Sequence, residues 1–333
     1  MTAKAVAVVD ISALEDGAGA ARVAADRALG EAAESLGFLV ITGTPVRRVT
    51  APARRAELER IFSLPAAEKR RLTNRKHAPE NDNAYRGYFT RSLPGEPAER
   101  EGYDLGGDEG PAAAADAVEA LLMEHNVWPA EELLPGWRGA AGRHYAEMES
   151  LGHLVMGALA RGLGLDESYF APHFGGGSST LRFLLAPAAP GLAPGDVEPR
   201  RRATVEGRER RLTTPAHRDS GVLTLLWQPG GLQALSAEGE WLSAPAVPDG
   251  LNVNFGDCLE FWTGGRLKAT PHRVLAAEGD RVSIPFFFEP RFDARIAPIP
   301  GAPPAPPIRY ADHLIEKIRS FGTHATNTKP RAA

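Results

Sequence analysis

With only one cysteine, Cys258, the chain can form no internal disulfide. No stretch approaches the ~20 consecutive apolar residues that a membrane-crossing helix needs. The start, Met1-Thr2-Ala3-Lys4, leads into an apolar run that Asp10 cuts short, so the apolar centre of a secretory signal is missing. A net charge of −4 gives no general attraction for a polyanion and argues against a nucleic-acid partner. Gly175-Gly176-Gly177 is not followed by Lys-Ser or Lys-Thr, so it reads as a flexible connection rather than a phosphate loop. What remains is the expectation of a cytoplasmic protein with no membrane contact. Its partner is a small molecule, and its oligomeric state is open.

What is present suits one large core. Hydrophobic content is 43% over 333 residues, ordinary for a β-core with helical decoration. Helical periodicity covers Ala20 to Leu36. Thr50 is placed to cap a second helix, with Pro52 in its first turn and an end before Leu64-Pro65. His77 to Leu93 has no period and reads as a loop, and Ala112 to Leu122 as a short helical piece. A long helix runs from Leu134-Pro135-Gly136-Trp137 through Leu163, with Met148, Leu151, Leu154, Val155, Ala158 and Leu159 along its apolar face. From Thr180 the pattern turns to short β-rich runs, clearest at Val222 to Trp227, Leu251 to Phe255 and Arg281 to Phe288. Asp257 and Cys258 sit at a strand start, serving turn and core. Pro187 to Arg211 is a polar insertion, read as a solvated loop or hairpin rim, with a lid as the sharper alternative. Pro298 to Pro307 is extended, and Ala311 to Phe321 is a closing helix.

Chemistry concentrates in His217-Arg218-Asp219, followed far downstream by His272. Two histidines and a carboxylate can hold one face of an iron(II) ion and leave the other open. In an extended segment His217 and Asp219 project together while Arg218 points away. The third ligand must come from a neighbouring strand, as an antiparallel barrel or double sheet supplies. Arg281-Val282-Ser283 repeats the alternation. A guanidinium and a hydroxyl on one face suit the grip of a carboxylate.

These residues by themselves leave several chemistries open. One is an iron oxygenase with a dicarboxylate co-substrate, and another an iron oxidase without it. A zinc hydrolase uses the same ligands, but it gives Arg281 and Ser283 no task and no general base is placed. A metal-free binding module on a β-barrel is the fourth. His144 and His153, on the long helix, read as packing or surface residues. Trp262 and Phe287 are pocket or core aromatics.

The order of motifs resembles the iron(II)- and 2-oxoglutarate-dependent dioxygenases of the isopenicillin N synthase-like superfamily. It runs through Thr214-Pro215-Ala216-His217-Arg218-Asp219, Gly230-Gly231-Leu232-Gln233, Asn252-Val253-Asn254-Phe255-Gly256-Asp257, Thr270-Pro271-His272-Arg273-Val274 and Arg281-Val282-Ser283. In the first half, Leu36-Gly37-Phe38-Leu39-Val40-Ile41, Arg86-Gly87-Tyr88 and Asn126-Val127-Trp128-Pro129 are similar to the family too. Ala186 stands where many members carry a tyrosine that meets 2-oxoglutarate or substrate.

The resemblance implies an α+β fold with a double-stranded β-helix, or jelly-roll, core flanked by helices. Residues 1–130 would form an N-terminal helix and strand region and residues 131–333 the catalytic core, as one structural unit. His217, Asp219 and His272 would bind Fe(II). 2-Oxoglutarate would chelate the metal and reach Arg281 and Ser283 with its far carboxylate, and O2 would take the last position. Decarboxylation to succinate and carbon dioxide would leave an iron(IV)-oxo oxidant. Hydroxylation of a small-molecule metabolite is the default outcome, with desaturation, ring closure or epoxidation open. Isopenicillin N synthase shares the pattern without 2-oxoglutarate, so the oxidase alternative stands. Tyr88 and Phe287 would line the substrate mouth, with space left by Ala186.

Overall fold

The computed structural model describes residues 5–15, 19–91, 100–108, 114–188 and 199–320. Strand β1 (Ala7–Asp10) crosses through helix α1 (Ala20–Ser35) into the parallel strand β2 (Phe38–Thr42). The expected second helix starts at Pro52, and a short helix comes before it. Helix α2 (Val46–Thr50) ends where Thr50 turns its hydroxyl back onto the Val46 carbonyl at 2.9 Å. Ala51, held extended before the proline, then starts α3 (Pro52–Glu59) with Pro52 in its first turn. Thr50 therefore closes one helix instead of capping the next. Helix α4 (Ala66–Leu72) follows.

The aperiodic stretch 77–93 is not all loop. Strand β3 (Gly87–Arg91) lies in it and pairs antiparallel with β4 (Arg100–Leu105). Its polar, aperiodic lead-in hides a strand that is stabilised by pairing with β4. Asp116 caps α5 (Ala117–Leu122), and α6 (Trp137–Gly162) is the expected long helix.

Two sheets form the core. The larger has the order β1-β2-β11-β8-β13-β5-β4-β3. Its other members are β5 (Thr180–Ala186), β8 (Leu223–Trp227), β11 (Leu251–Phe255) and β13 (Arg281–Phe288). Four of its eight strands come from the first 130 residues. The smaller has the order β10-β9-β12-β7-β6. It is built from β6 (Arg202–Val205), β7 (Arg208–His217), β9 (Leu232–Leu235), β10 (Trp241–Ser243) and β12 (His272–Leu275). The second half of the arginine-rich insertion is thus a hairpin at the rim of this sheet, turning at Glu206-Gly207 with both residues left-handed. Residues 189–198, the rest of the suggested lid, lie outside the described residues.

Each face of the larger sheet has its own packing. Leu181, Phe183, Leu225, Val253, Ile284, Phe286 and Phe288 look outward and join α1 and α6 in one continuous core. Gly152 of α6 lets the helix close on Phe288, because a side chain there would meet the ring at 2.7 Å. The facing surface holds a smaller apolar cluster of Phe38, Val40, Leu232, Ala234 and Val274 between the two sheets. Beside that cluster the side chains turn polar. The architecture is an α+β jelly roll flanked by helices.

Asp257 and Cys258 begin a short helix, α7 (Asp257–Trp262), instead of a strand. Trp262 belongs to the core, packed on Phe170, His173 and Phe174. Strands β14 (Arg295–Ile296) and β15 (Ile308–Arg309) pair across the proline-rich stretch and lead into α8 (Tyr310–Ser320). Among the described residues no helix is long and apolar enough to cross a membrane.

Candidate metal and co-substrate site

His217 ends β7 and stands directly opposite His272, the first residue of β12. Their ring centroids are 4.2 Å apart. Asp219 lies just past the end of β7, so it is placed by a loop and not by strand alternation alone. Its Oδ1 is 3.6 Å from Nε2 of His217 and 3.8 Å from Nε2 of His272. One ligand atom from each of the three residues falls within 4.8 Å of the others, a grouping that could hold a metal ion. Arg218 points away and reaches Glu260 at 3.7 Å.

The surroundings orient each donor. Nδ1 of His217 faces the Pro215 carbonyl at 3.0 Å, and Nδ1 of His272 faces the Thr270 carbonyl at 3.1 Å. A carbonyl only accepts, so Nδ1 carries the hydrogen and Nε2 keeps its lone pair. Oδ2 of Asp219 accepts from Thr224 Oγ1 at 2.6 Å and Asn254 Nδ2 at 2.7 Å, which turns Oδ1 toward the histidines. Burial raises the Asp219 pKa, but the two imidazoles and these hydrogen bonds outweigh it and hold the carboxyl below its ordinary value. Burial, with the second imidazole beside it, pushes His217 down, so it stays neutral and able to ligate.

The loop that carries Asp219 is clamped from behind. The Asp257 amide donates to the Asp219 carbonyl at 2.9 Å, and the Cys258 amide to the Gly221 carbonyl at 3.2 Å. Gly256 permits this approach, since a side chain there would sit 2.3 Å from the Gly221 oxygen. From α8, His313 Nε2 bonds the Ser220 carbonyl at 2.7 Å and Lys317 pairs with Asp257 at 2.6 Å. Glu289 lies against Gly221, takes a hydrogen bond from the Tyr310 hydroxyl, and is pushed well above its ordinary pKa by burial and the charge of Asp219.

Arg281 and Ser283 are both buried on the face of β13 that looks between the sheets. Nη2 of Arg281 donates to Gln228 Oε1 at 2.9 Å and Nε to the Gly230 carbonyl at 3.3 Å. Among the described residues no carboxylate pairs with it, and burial drives its pKa down to about 10. Nε2 of Gln228 is buried and has no partner. A buried cation without a counter-ion, beside an unused donor, is costly unless an anion completes it. These residues fit the far carboxylate of a dicarboxylate such as 2-oxoglutarate. Ala186 stands directly opposite Arg281 on β5 and contributes only a methyl group there.

Residues 199–290 match the 2OG-Fe(II) oxygenase superfamily, and residues 6–131 match the N-terminal region of non-haem dioxygenases described from morphine synthesis. A 2-oxoglutarate-Fe(II) type oxidoreductase of Aspergillus fumigatus is 33% identical, over 76% of this chain and 72% of its own. The chain belongs to the 2-oxoglutarate- and iron(II)-dependent oxygenases. A rice 1-aminocyclopropane-1-carboxylate oxidase is 35% identical over 54% of this chain, which spans about half, 53%, of that enzyme. The solved structure of a full-length Neurospora crassa protein with alpha-KG and thymine has the same fold, with a TM-score of 0.78, 24% identity, and coverage of 95% of this chain and 96% of that one. Fe(II), 2-oxoglutarate and O2 are the oxygenase's cofactor and co-substrates.

The expectation for Tyr88 needs correction. Tyr88 pairs with Tyr103 on the outer face of the larger sheet, is buried in the helix-side core and donates its hydroxyl to Glu101. Alternation gives the inner face to its neighbour, Phe89, whose ring lies across Gly102. Phe287 does face inward, opposite Thr224 and Thr180. The guanidinium carbon of Arg182 is 5.4 Å from each of the Phe89 and Phe287 ring centres.

Several residues that bond to or pack around the candidate site are not among the sequence expectations. Thr224, Gln228, Asn254, Arg182, Asp104 and His313 are among them. Two carried a usable signal. Asn252 and Asn254 alternate inside an apolar strand, and Arg182 interrupts another, so each marks a polar inner face.

Proposed function

We propose that this oxygenase couples the oxidative decarboxylation of 2-oxoglutarate to hydroxylation of a small-molecule metabolite. His217, Asp219 and His272 would hold the iron, with Nε2, Oδ1 and Nε2 as the atoms that face one another. With iron, 2-oxoglutarate and O2 bound, the centre supplies the power to oxidise an unactivated C–H bond, and the co-substrate leaves as succinate and carbon dioxide.

The protein's own part is placement and shielding. The Pro215 and Thr270 carbonyls fix the imidazole tautomers. Thr224 and Asn254 keep one carboxylate oxygen of Asp219 away from the metal. Arg281 and Ser283 take the far carboxylate of 2-oxoglutarate, and Gln228 orients Arg281. Phe89 and Phe287 give the substrate side an apolar wall that limits water. The observation that carries this reading is Arg281, a buried guanidinium with no acidic partner among the described residues, on the same inner sheet face as the Asp219 supports Thr224 and Asn254.

The test is succinate formation from 2-oxoglutarate by protein loaded with iron(II). It should require O2, cease with a chelator, and return with iron(II) but not zinc. Substrate oxidation without 2-oxoglutarate would favour the oxidase alternative. Absence of succinate, with a substrate hydrolysed by zinc-loaded protein, would favour a hydrolase.

A further inference from the structure

Arg182 sits mid-strand in β5, on the same inner face as Ser283 and Thr224. Its Nε and Nη2 form a fork onto both oxygens of Asp104, each at 2.7 Å. Nη1 makes no hydrogen bond to the described residues. Phe89 and Phe287 flank the guanidinium at equal distance, and Gly102 leaves Phe89 room to lie across β4. Phe287 is the register partner of Thr224, the residue that bonds Asp219. Strand β13 alone separates Arg182 on β5 from Thr224 on β8.

The charge of this corner decides what it can take. Asp104 is buried and neutralises Arg182 through two charge-assisted bonds. A carboxylate arriving there would face Asp104 at close quarters. The other cation on this face of β4, Arg100, already donates to the Thr213 carbonyl at 3.0 Å. A second buried cation, Arg86, donates to Thr180 Oγ1 at 2.9 Å, and Glu124 accepts from the Arg86 amide at 2.8 Å. With Arg182 and Arg86 set against Asp104 and Glu124, the corner offers N–H donors with little net charge, between two aromatic rings.

We propose that Arg182 anchors the prime substrate through an uncharged carbonyl oxygen, of an amide, lactam or ketone, on a flat body held between Phe89 and Phe287. The anchor lies within the site proposed above and rests on that reading. Asp104 acts through Arg182, holding its fork so that Nη1 points into the site.

Benzamide and benzoate are matched probes, equal in size and flatness and different in charge. Binding of each is measured by calorimetry under argon, on protein loaded with iron(II) and 2-oxoglutarate. Benzamide should bind the native protein about tenfold or more tightly than benzoate. Arg182→Gln should weaken benzamide about tenfold, while 2-oxoglutarate affinity stays within about twofold. Arg182→Gln leaves Asp104 buried and unpaired, so Arg182→Gln with Asp104→Asn is the second variant, and its melting point confirms folding. Benzoate binding more tightly than benzamide overturns the proposal. So does benzamide that fails to bind the native protein, or binds a folded Arg182 variant equally well. Loss of 2-oxoglutarate binding in native protein would instead strike at the Arg281 reading.

Discussion

Gln228 accepts a hydrogen bond from Arg281 at 2.9 Å and leaves its own Nε2 buried and without a partner. On the reading proposed above, the far carboxylate of 2-oxoglutarate completes the pair. Arg281→Leu removes the charged half. The loss should be about 2–5 kcal/mol, so KM for 2-oxoglutarate should rise roughly 30-fold to several thousand-fold. Gln228→Ala removes the orienting half and should raise it about tenfold. Initial rates against 2-oxoglutarate concentration check both, and an unchanged KM in Arg281→Leu would remove the residue from the co-substrate site.

His272→Ala leaves two donors where three set the geometry. Bound iron and turnover should both disappear, while the β7–β12 pairing and the circular dichroism spectrum persist. Iron content by absorption spectrometry gives the answer. Near-stoichiometric iron in this variant would contradict the ligand assignment.

Phe89 and Tyr88 are adjacent, yet only Phe89 faces inward. Phe89→Ala and Phe287→Ala should loosen the substrate and raise the ratio of succinate to oxidised product, because the C–H bond is no longer held within reach. Tyr88→Phe should leave that ratio alone and lower stability by about 1 kcal/mol through the lost bond to Glu101. Melting curves and product ratios on the same preparations separate the two roles.

Glu289 supplies a pH prediction. Burial raises its pKa in the folded state well above the ordinary 4.5, so the folded protein binds the proton that the unfolded chain releases. Its contribution to stability is full below pH 4.5 and falls as pH rises toward the folded value. Glu289→Gln keeps an acceptor for the Tyr310 hydroxyl without an ionisable group. Metal-free variant protein should therefore melt higher than native protein at pH 8 and show a flatter dependence on pH. Parallel curves for the two proteins from pH 5 to 8 would count against a protonated Glu289.

The sequence by itself determined which side chains are candidate donors. His217, Asp219 and His272 are legible as candidates because few side chain types ligate iron, and the fold brings one ligand atom of each within 4.8 Å of the others. Arg281 and Ser283 were legible because strand alternation places them together. The long helix Trp137–Gly162 was legible from its apolar stripe. Only the tertiary structure decided which face of a strand looks inward. Tyr88 and Phe89 are equally apolar, and alternation separates them without saying which side holds the site. The choice came from pairing with β4, whose Tyr103 is taken by the helix-side core. Likewise, nothing local ties Arg182 to Asp104, or His313 to the loop of Asp219. Those contacts join residues far apart in the chain, and the packing of two sheets and α8 brings them together.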